Sequence, residues 1–267
     1  MCMEFLSRPR HCVLAFAVCA FSLFGCATAP RDTVSQYGTI DALLAGGYDG
    51  SITLGAMLEE GDFGLGTFDK LDGEMVVFDG EVYQALSSGG ITRPSLDETT
   101  PFFEVCAFSP DNSFKLPPGA DYAMLKRIVD GIVANPNLFH AIKIEGEFKR
   151  IKVRSVPRQK KPYRPLLEVV KEQSVFPYEH VKGTIVGFRS PFFVKGIGVP
   201  GYHLHFISAD GKKGGHVLAF ELVSGKCFID ECENFHLKLP KSAKYFPKGS
   251  GSVPRDALEK VEKEKRR

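Results

Sequence analysis

The chain has 267 residues, 43% of them hydrophobic and 25% charged, an ordinary globular composition with length enough to bury one large core or two small ones. Lys and Arg total 34 against 32 for Asp and Glu, and the resulting formal charge of +2 gives no electrostatic ground for binding nucleic acid. A small molecule or another protein is the partner that this composition leaves.

Arg8 and Arg10 precede an apolar run over residues 13–24, broken only by Ser22, which has the charged start and short apolar stretch of an export signal. The run falls short of the roughly 20 apolar residues that a transmembrane helix needs. It ends in Leu23-Phe24-Gly25-Cys26, which resembles the lipobox of bacterial lipoproteins. Residues 1–25 are therefore expected to be removed and Cys26 to carry lipid, giving an exported periplasmic or cell-surface lipoprotein that meets the membrane only through that lipid. An ordinary signal peptide would give a secreted protein instead. Cys2, Cys12 and Cys19 leave with the signal, and Cys106, Cys227 and Cys232 remain, an odd set without CxxC spacing. They read as packing residues, with Cys227 and Cys232 spaced to close one small loop in an oxidising compartment.

Residues 26–36 read as a polar tether. Short amphipathic helices are expected over 40–44 and 54–60, separated by Gly46-Gly47 and the Asp49-Gly50 turn. Strands over 74–79 and 81–86 meet at Asp79-Gly80, a type I′ hairpin signal, and 102–108 reads as another strand. The clearest helix spans 121–133, with Met124, Leu125, Ile128, Val129 and Ile132 at helical spacing and Asn135-Pro136 stopping it. Strands over 139–144 and 148–155 alternate around Gly146. A basic, proline-punctuated loop over 157–165 follows, then a helix over 164–173 with Pro165 in its first turn. From 180 to 239, strands alternate with glycine and proline turns, and a charged tail from 256 can form one last helix. The loop at 157–165 is the one boundary on offer, dividing an N-terminal α/β lobe (37–156) from a β-rich C-terminal lobe (157–246), with a tail at 247–267. The fold class is α+β, with mixed and antiparallel sheets in two lobes.

The most informative segment runs from Gly201 to His216. Side chains two apart on a strand share a face, so His203 and His205 converge while Leu204 and Phe206 turn away. Asp210-Gly211 signals a two-residue loop, which would pair Ala209 with Lys212 and, counting outward, set His205 opposite His216. Directly paired residues have Cβ atoms about 5 Å apart, so three imidazoles meet within reach of one metal ion. Three protein ligands with open positions are the pattern of a catalytic zinc site, although nickel, copper or iron suit imidazoles too. His140, His180 and His236 lack such partners and read as structural.

The segment Gly201-Tyr202-His203-Leu204-His205-Phe206, followed by Gly214-Gly215-His216-Val217, resembles the zinc-binding hairpin of the acetolactate decarboxylases. Two further stretches carry the same resemblance: GDFGLGTFDKLDGEM, from Gly61 to Met75, and Val153-Arg154-Ser155-Val156-Pro157. The resemblance implies a zinc-dependent carboxy-lyase that converts 2-acetolactate to acetoin and carbon dioxide in the acetoin and butanediol pathway, and it implies a homodimer. Carried over by residue, it makes His203, His205 and His216 the zinc ligands, Glu74 an acidic residue beside the metal, Thr67 a substrate-contacting hydroxyl and Arg154 an active-site arginine. A glutamate from the tail is implied at the metal as well; Glu262 is the best match, with Glu259 and Glu264 close by. The lipobox departs from the family pattern.

Chemistry supports this reading independently. Breaking a carbon–carbon bond to a carboxylate beside a ketone leaves an enediolate, whose charge a Lewis-acid metal chelated by ketone and hydroxyl oxygens stabilises without an organic cofactor. Arg154 would hold the departing carboxylate or the enediolate oxygen, and a glutamate tuned by burial would protonate one face to give a single enantiomer. Without the resemblance, Arg154 reads as a solvated residue on a basic strand and Glu74 as a hairpin-edge carboxylate. Two other readings compete. A cupin-like metal oxygenase usually needs a carboxylate shortly after the His-x-His pair, and none occurs from 194 to 209. A non-enzymatic zinc-binding lipoprotein would tend to close its site with a fourth ligand.

Overall fold

The computed structural model of the protein describes residues 30–247, 254 and 256–262; the export signal, Cys26 and Glu264 lie outside the described residues. The first strands are β1 (Thr33–Tyr37), β2 (Ile52–Thr53), β3 (Phe63–Thr67), β4 (Glu74–Phe78), β5 (Glu81–Ala85), β6 (Ile91–Thr92), β7 (Thr99–Thr100), β8 (Phe103–Cys106) and β9 (Asn112–Leu116). Longer ones follow: β10 (Phe139–Ser155), β11 (Ser174–Ser190), β12 (Gly201–Ser208) and β13 (Gly214–Cys232), then the short β14 (Asn234–Lys238). The helices are α1 (Ile40–Leu44), α2 (Leu54–Leu58), α3 (Tyr122–Ile132), α4 (Leu166–Val169) and α5 (Ala257–Glu262).

Local chemistry accounts for several boundaries. Asp79 and Gly80 both take left-handed backbone angles, φ 51° and 74°, which is what a type I′ turn between β4 and β5 requires. Asp121 caps α3 by accepting from the Met124 N–H at 2.7 Å, and Leu125 and Val129 form its buried face.

Seven strands form one sheet in the order β14-β1-β8-β3-β4-β5-β6, antiparallel throughout except for β1 with β14. The second sheet is built on β10, which pairs with β11 along one edge and β13 along the other. Because β12 joins β11 to β13, these pairings close on themselves, and β9 extends β13 outward. Inside lies a cluster that includes Ile142, Phe148, Phe206 and Leu222, covered by α3. A second cluster sets Val34, Phe63, Leu65 and Val76 of the first sheet against Ala141, Val186, Phe188 and Ile207 of the second. Burying each such side chain contributes about 1.5–3 kcal/mol, so this shared core holds the two sheets together.

Several expectations need correction. The tether over 26–36 ends early, because Thr33 to Gln36 already belong to β1 and are buried. The strands at 139–144 and 148–155 are one continuous strand. A Cβ at Gly146 would stand 2.4 Å from the Ser224 carbonyl oxygen, so this glycine admits a neighbouring backbone and does not end the strand. β11 begins at Ser174 rather than at His180; in its first residues only Phe176 and Tyr178 pack on the core, both half-buried, and Pro177 stands between them. The helix over 164–173 is the single turn of α4 followed by a 3-10 turn at Val170–Glu172, with Pro165 just outside it. The boundary at 157–165 does not divide the sheets: β10 precedes it yet anchors the second sheet, and β14 follows it yet joins the first. Cys227 and Cys232 both lie on β13, where five residues at about 3.3 Å each hold them far beyond bridging distance.

Candidate active site

β12 and β13 assemble the histidines. Their loop runs from Ala209 to Lys212, longer than the two residues expected. Ser208 N–H donates to the Lys213 carbonyl at 2.8 Å, and Gly211, at φ 66°, donates its N–H to the Ser208 carbonyl at 2.8 Å. The Ser208 hydroxyl accepts from the backbone N–H groups of Lys212 and Lys213. Opening the innermost pair leaves the register as counted, and His205 pairs with His216. The three imidazoles are buried, and each offers a nitrogen within 4.8 Å of the others.

The same register extends to β10, where Arg154 pairs with His216. Arg154, His216 and His205 therefore stand in a row across three adjacent strands. The first sheet supplies Glu74 at the start of β4, directly paired with Thr67 at the end of β3, and Glu104 in the middle of β8. Helix α5 supplies Glu262, anchored by Val261 in a cluster with Ile40, Leu43, Leu71 and Leu166.

Glu74 Oε2 lies 3.6 Å from His205 Nε2, and Glu74 Oε1 3.8 Å from Arg154 Nη1. Glu262 mirrors this on the other side, with Oε2 3.5 Å from His216 Nε2 and Oε1 3.8 Å from Arg154 Nη2. Glu104 Oε2 stands 3.8 Å from His203 Nδ1. The Thr67 hydroxyl donates to the Gly73 carbonyl at 2.8 Å, so toward the cavity its oxygen can only accept.

These atoms fit a cation. His205 Nδ1 lies 2.7 Å from the Met75 carbonyl and must donate to it, which leaves Nε2 with its lone pair free, and that buried atom has no hydrogen-bond partner. Glu74 and Glu262 face the guanidinium of Arg154 and Glu104 faces His203, so the cluster holds more carboxylates than fixed cations, a balance that suits a cation.

Burial, then the charge of His203, holds the His205 imidazole well below its ordinary value. Burial, then Arg154, does the same for His216. Burial pulls His203 down too, but Glu262, Glu104 and Glu74 outweigh it and raise its affinity for a proton. Burial pushes the Glu74 carboxyl up against the opposing pull of Arg154 and His203. Two imidazoles held neutral, a third drawn toward the positive charge by three carboxylates, and a carboxyl that keeps its proton unusually long suit metal ligation and acid catalysis.

A cavity of about 40 Å³ joins Thr67, Glu74, Arg154, His203 and Glu262 beneath apolar walls from Ile40, Leu43, Leu71, Phe102, Val156 and Leu166. Glu262 also borders a wider groove of about 700 Å³ lined by Tyr122, Lys126, Tyr202, Leu258 and Glu259, so α5 stands between the buried cavity and the surface. Every described residue expected at the site is thus brought to it: Thr67, Glu74, Arg154, His203, His205, His216 and Glu262. Glu259 lines the outer groove instead. His140 sits by Glu231 and His236 by Glu60, away from the cluster. Glu104 escaped the sequence reading; its signal is a lone carboxylate inside the apolar run Phe102-Phe103-Glu104-Val105-Cys106.

A hairpin-borne histidine trio that could hold a metal ion, beside a buried arginine and two carboxylates on a β-rich scaffold, is consistent with the class of metal-dependent enzymes. Residues 34–249 match the alpha-acetolactate decarboxylase family. The chain is 46% identical to the alpha-acetolactate decarboxylase of Methanosarcina mazei, over 87% of its own length and 81% of that protein, and 40% identical to the Bacillus subtilis one, over 81% and 85%. The crystal structure of alpha-acetolactate decarboxylase from Bacillus subtilis strain 168 superposes with a TM-score of 0.84 at 38% identity, covering 87% of this chain and 100% of that one. The chain belongs to the alpha-acetolactate decarboxylase family, whose members are carboxy-lyases.

Proposed function

We propose that the protein decarboxylates 2-acetolactate to acetoin and carbon dioxide with zinc held by His203, His205 and His216. The observation that carries this is the row of Arg154, His216 and His205 set by strand register and flanked by Glu74 and Glu262, with Arg154 and both carboxylates lining one small cavity beside His203. Zinc is the ordinary ion for neutral imidazoles, and when bound it supplies Lewis-acid stabilisation of the charge that develops on the ketone oxygen. Arg154, fixed between two carboxylates, presents a planar fork to the carboxylate that departs. Loss of carbon dioxide leaves the electron pair of the broken bond delocalised toward the neighbouring carbonyl, and the carbon then needs one proton. Glu74, whose carboxyl burial has raised, holds that proton on one side of the cavity, with Glu262 placed to do the same from the other. Delivery to a single face gives one acetoin enantiomer. The Thr67 oxygen accepts from a substrate hydroxyl, and the Glu104 carboxylate, 3.8 Å from His203 Nδ1, faces that ring and favours the tautomer that carries its proton on Nδ1.

In the same reading the chain is exported, lipidated on Cys26 and active as a homodimer; the apolar run before Cys26 supports the first two and the family resemblance the third. The test of the chemistry is Glu74→Gln and Arg154→Ala: each keeps its zinc and loses turnover, by about 10²- to 10⁴-fold for the carboxylate that delivers the proton, the usual contribution of an aligned donor. In deuterated water, one deuterium enters at the carbon that lost carboxylate, in one configuration. Unchanged rate and stereochemistry in both Glu74→Gln and a chain truncated before Asp256 would remove both carboxylates as donors.

A further inference from the structure

Cys106 ends β8 and Cys232 ends β13, and Asp230 lies two residues before Cys232 on the same face of its strand. One donor atom from each lies within 4.8 Å of the other two, and none of the three residues is more than 1% exposed. Both cysteines belong to the core shared by the two sheets, so the trio sits on their seam. Asp230 Oδ2 accepts the Ser109 N–H at 2.9 Å, whereas the equally buried Oδ1 has no hydrogen-bond partner. An interior carboxylate oxygen left unmet is costly, and an ion or a proton must answer it. The charges acting on Asp230 are themselves negative: burial first, then Asp111, Asp32 and Asp62, push its carboxyl up to about 6. Burial, Cys232, Asp230 and Asp62 likewise push the Cys106 thiol well up.

We propose that Cys106, Asp230 and Cys232 form a second, structural metal site that takes one thiophilic divalent ion, zinc foremost, and ties the two sheets together. Binding displaces one proton from each thiol. Two thiolates and one carboxylate around a divalent ion carry the same net charge, −1, as two thiols and the carboxylate alone, so the ion enters without adding buried charge. Thiolate donors select zinc or cadmium over magnesium or calcium. A disulfide between the two cysteines would leave the Asp230 oxygen unanswered. Cys227, in the other core cluster and without such neighbours, takes no part.

The site stands whether or not the histidines hold zinc, and the experiment separates the two. The reduced, full chain is loaded with cobalt or zinc during folding and assayed for metal per chain. Wild type is expected to hold about two ions. A His203→Ala, His205→Ala, His216→Ala variant keeps one, with the near-ultraviolet thiolate-to-cobalt charge-transfer absorption. Cys106→Ser with Cys232→Ser loses that absorption and one ion. Asp230→Asn, which keeps both thiols and the volume, weakens zinc at this site about tenfold or more. Cobalt-loaded wild type without a thiolate band, wild-type affinity in Asp230→Asn, or a Cys106–Cys232 disulfide found by mass spectrometry would each overturn the proposal.

Discussion

Replacing Glu104 by Gln keeps the volume of a fully buried side chain and removes only the charge that faces His203. Both carboxylate oxygens lack a hydrogen-bond partner among the described residues, so the 3.8 Å approach to His203 Nδ1 is the closest polar contact recorded for this carboxylate. A metal ion on the other ring nitrogen makes the Nδ1–H a stronger donor toward this carboxylate; a hydrogen bond to a charged group contributes about 1.5–3 kcal/mol and a neutral one about 0.5–1.5 kcal/mol, so in the metal-bound protein the amide would give up about 1–1.5 kcal/mol of hold on the imidazole. At about 1.4 kcal/mol per factor of ten, metal affinity should fall roughly tenfold, the low end of what outer partners of metal ligands contribute. Competition with a chromophoric chelator measures the affinity, and far-ultraviolet circular dichroism confirms that the fold is intact. Acetoin release at saturating zinc should stay within about threefold of wild type, because Glu104 acts through His203 and not on substrate. Unchanged affinity in a folded Glu104→Gln protein would refute the orienting role. A collapse of turnover at full metal occupancy would place Glu104 on the substrate instead.

His205→Ala and His216→Ala should each lose metal and activity together, while His236→Ala, whose ring sits half-exposed beside Glu60, should lose neither; metal analysis and the acetoin assay decide. Cys26→Ser should move the protein from the membrane fraction to the soluble one, and equal membrane retention with no lipid label on the native chain would count against lipidation. Glu60 joins β1 to β14 by accepting from Ser35 and Lys238. Burial pushes its carboxyl up, but those two bonds and the lysine charge outweigh it and hold the value below the ordinary 4.5. A depressed folded value means that the stabilisation is fully present above that ordinary value and disappears as pH falls through the lower folded one. Glu60→Gln should therefore cost about 0.5–1 kcal/mol at neutral pH, the figure reduced because Lys238 is partly exposed, and progressively less in acid as the carboxyl takes up its proton. Urea midpoints at neutral and acid pH test this, and a difference independent of pH would contradict it.

The histidine trio was legible in the sequence because strand geometry has a period of two and register depends only on which residues pair, so a loop of four residues served as well as the two expected. α3 was legible for a similar reason: its apolar residues repeat at helical spacing and its cap is local. What the sequence hid is non-local. Nothing near Arg154 announces that β13 will set His216 directly beside it, and Glu104 needs the approach of β12 to meet His203. β1 looked like a tether because its polar Ser35 and Gln36 are buried only by what packs on them later. The lobe boundary failed likewise, since a proline-rich loop marks where the chain turns and not which sheet it returns to.

The hairpin of β12 and β13 carries all three imidazoles within one short stretch of chain, whereas Glu74, Arg154 and Glu262 arrive from strands and a helix far away in sequence. Closing a long loop costs more entropy than closing a short one, and contacts of high sequence separation are the ones that partial unfolding surrenders first when their elements pack lightly. Helix α5 has two fully buried side chains, Ala257 and Val261, and is the lightest of these contributors. Under rising denaturant the chain should therefore lose Glu262 before its imidazoles: in the proposed zinc enzyme, turnover would fall at a lower concentration than ion release, with a band of conditions between them in which the ion is held and the reaction is impaired.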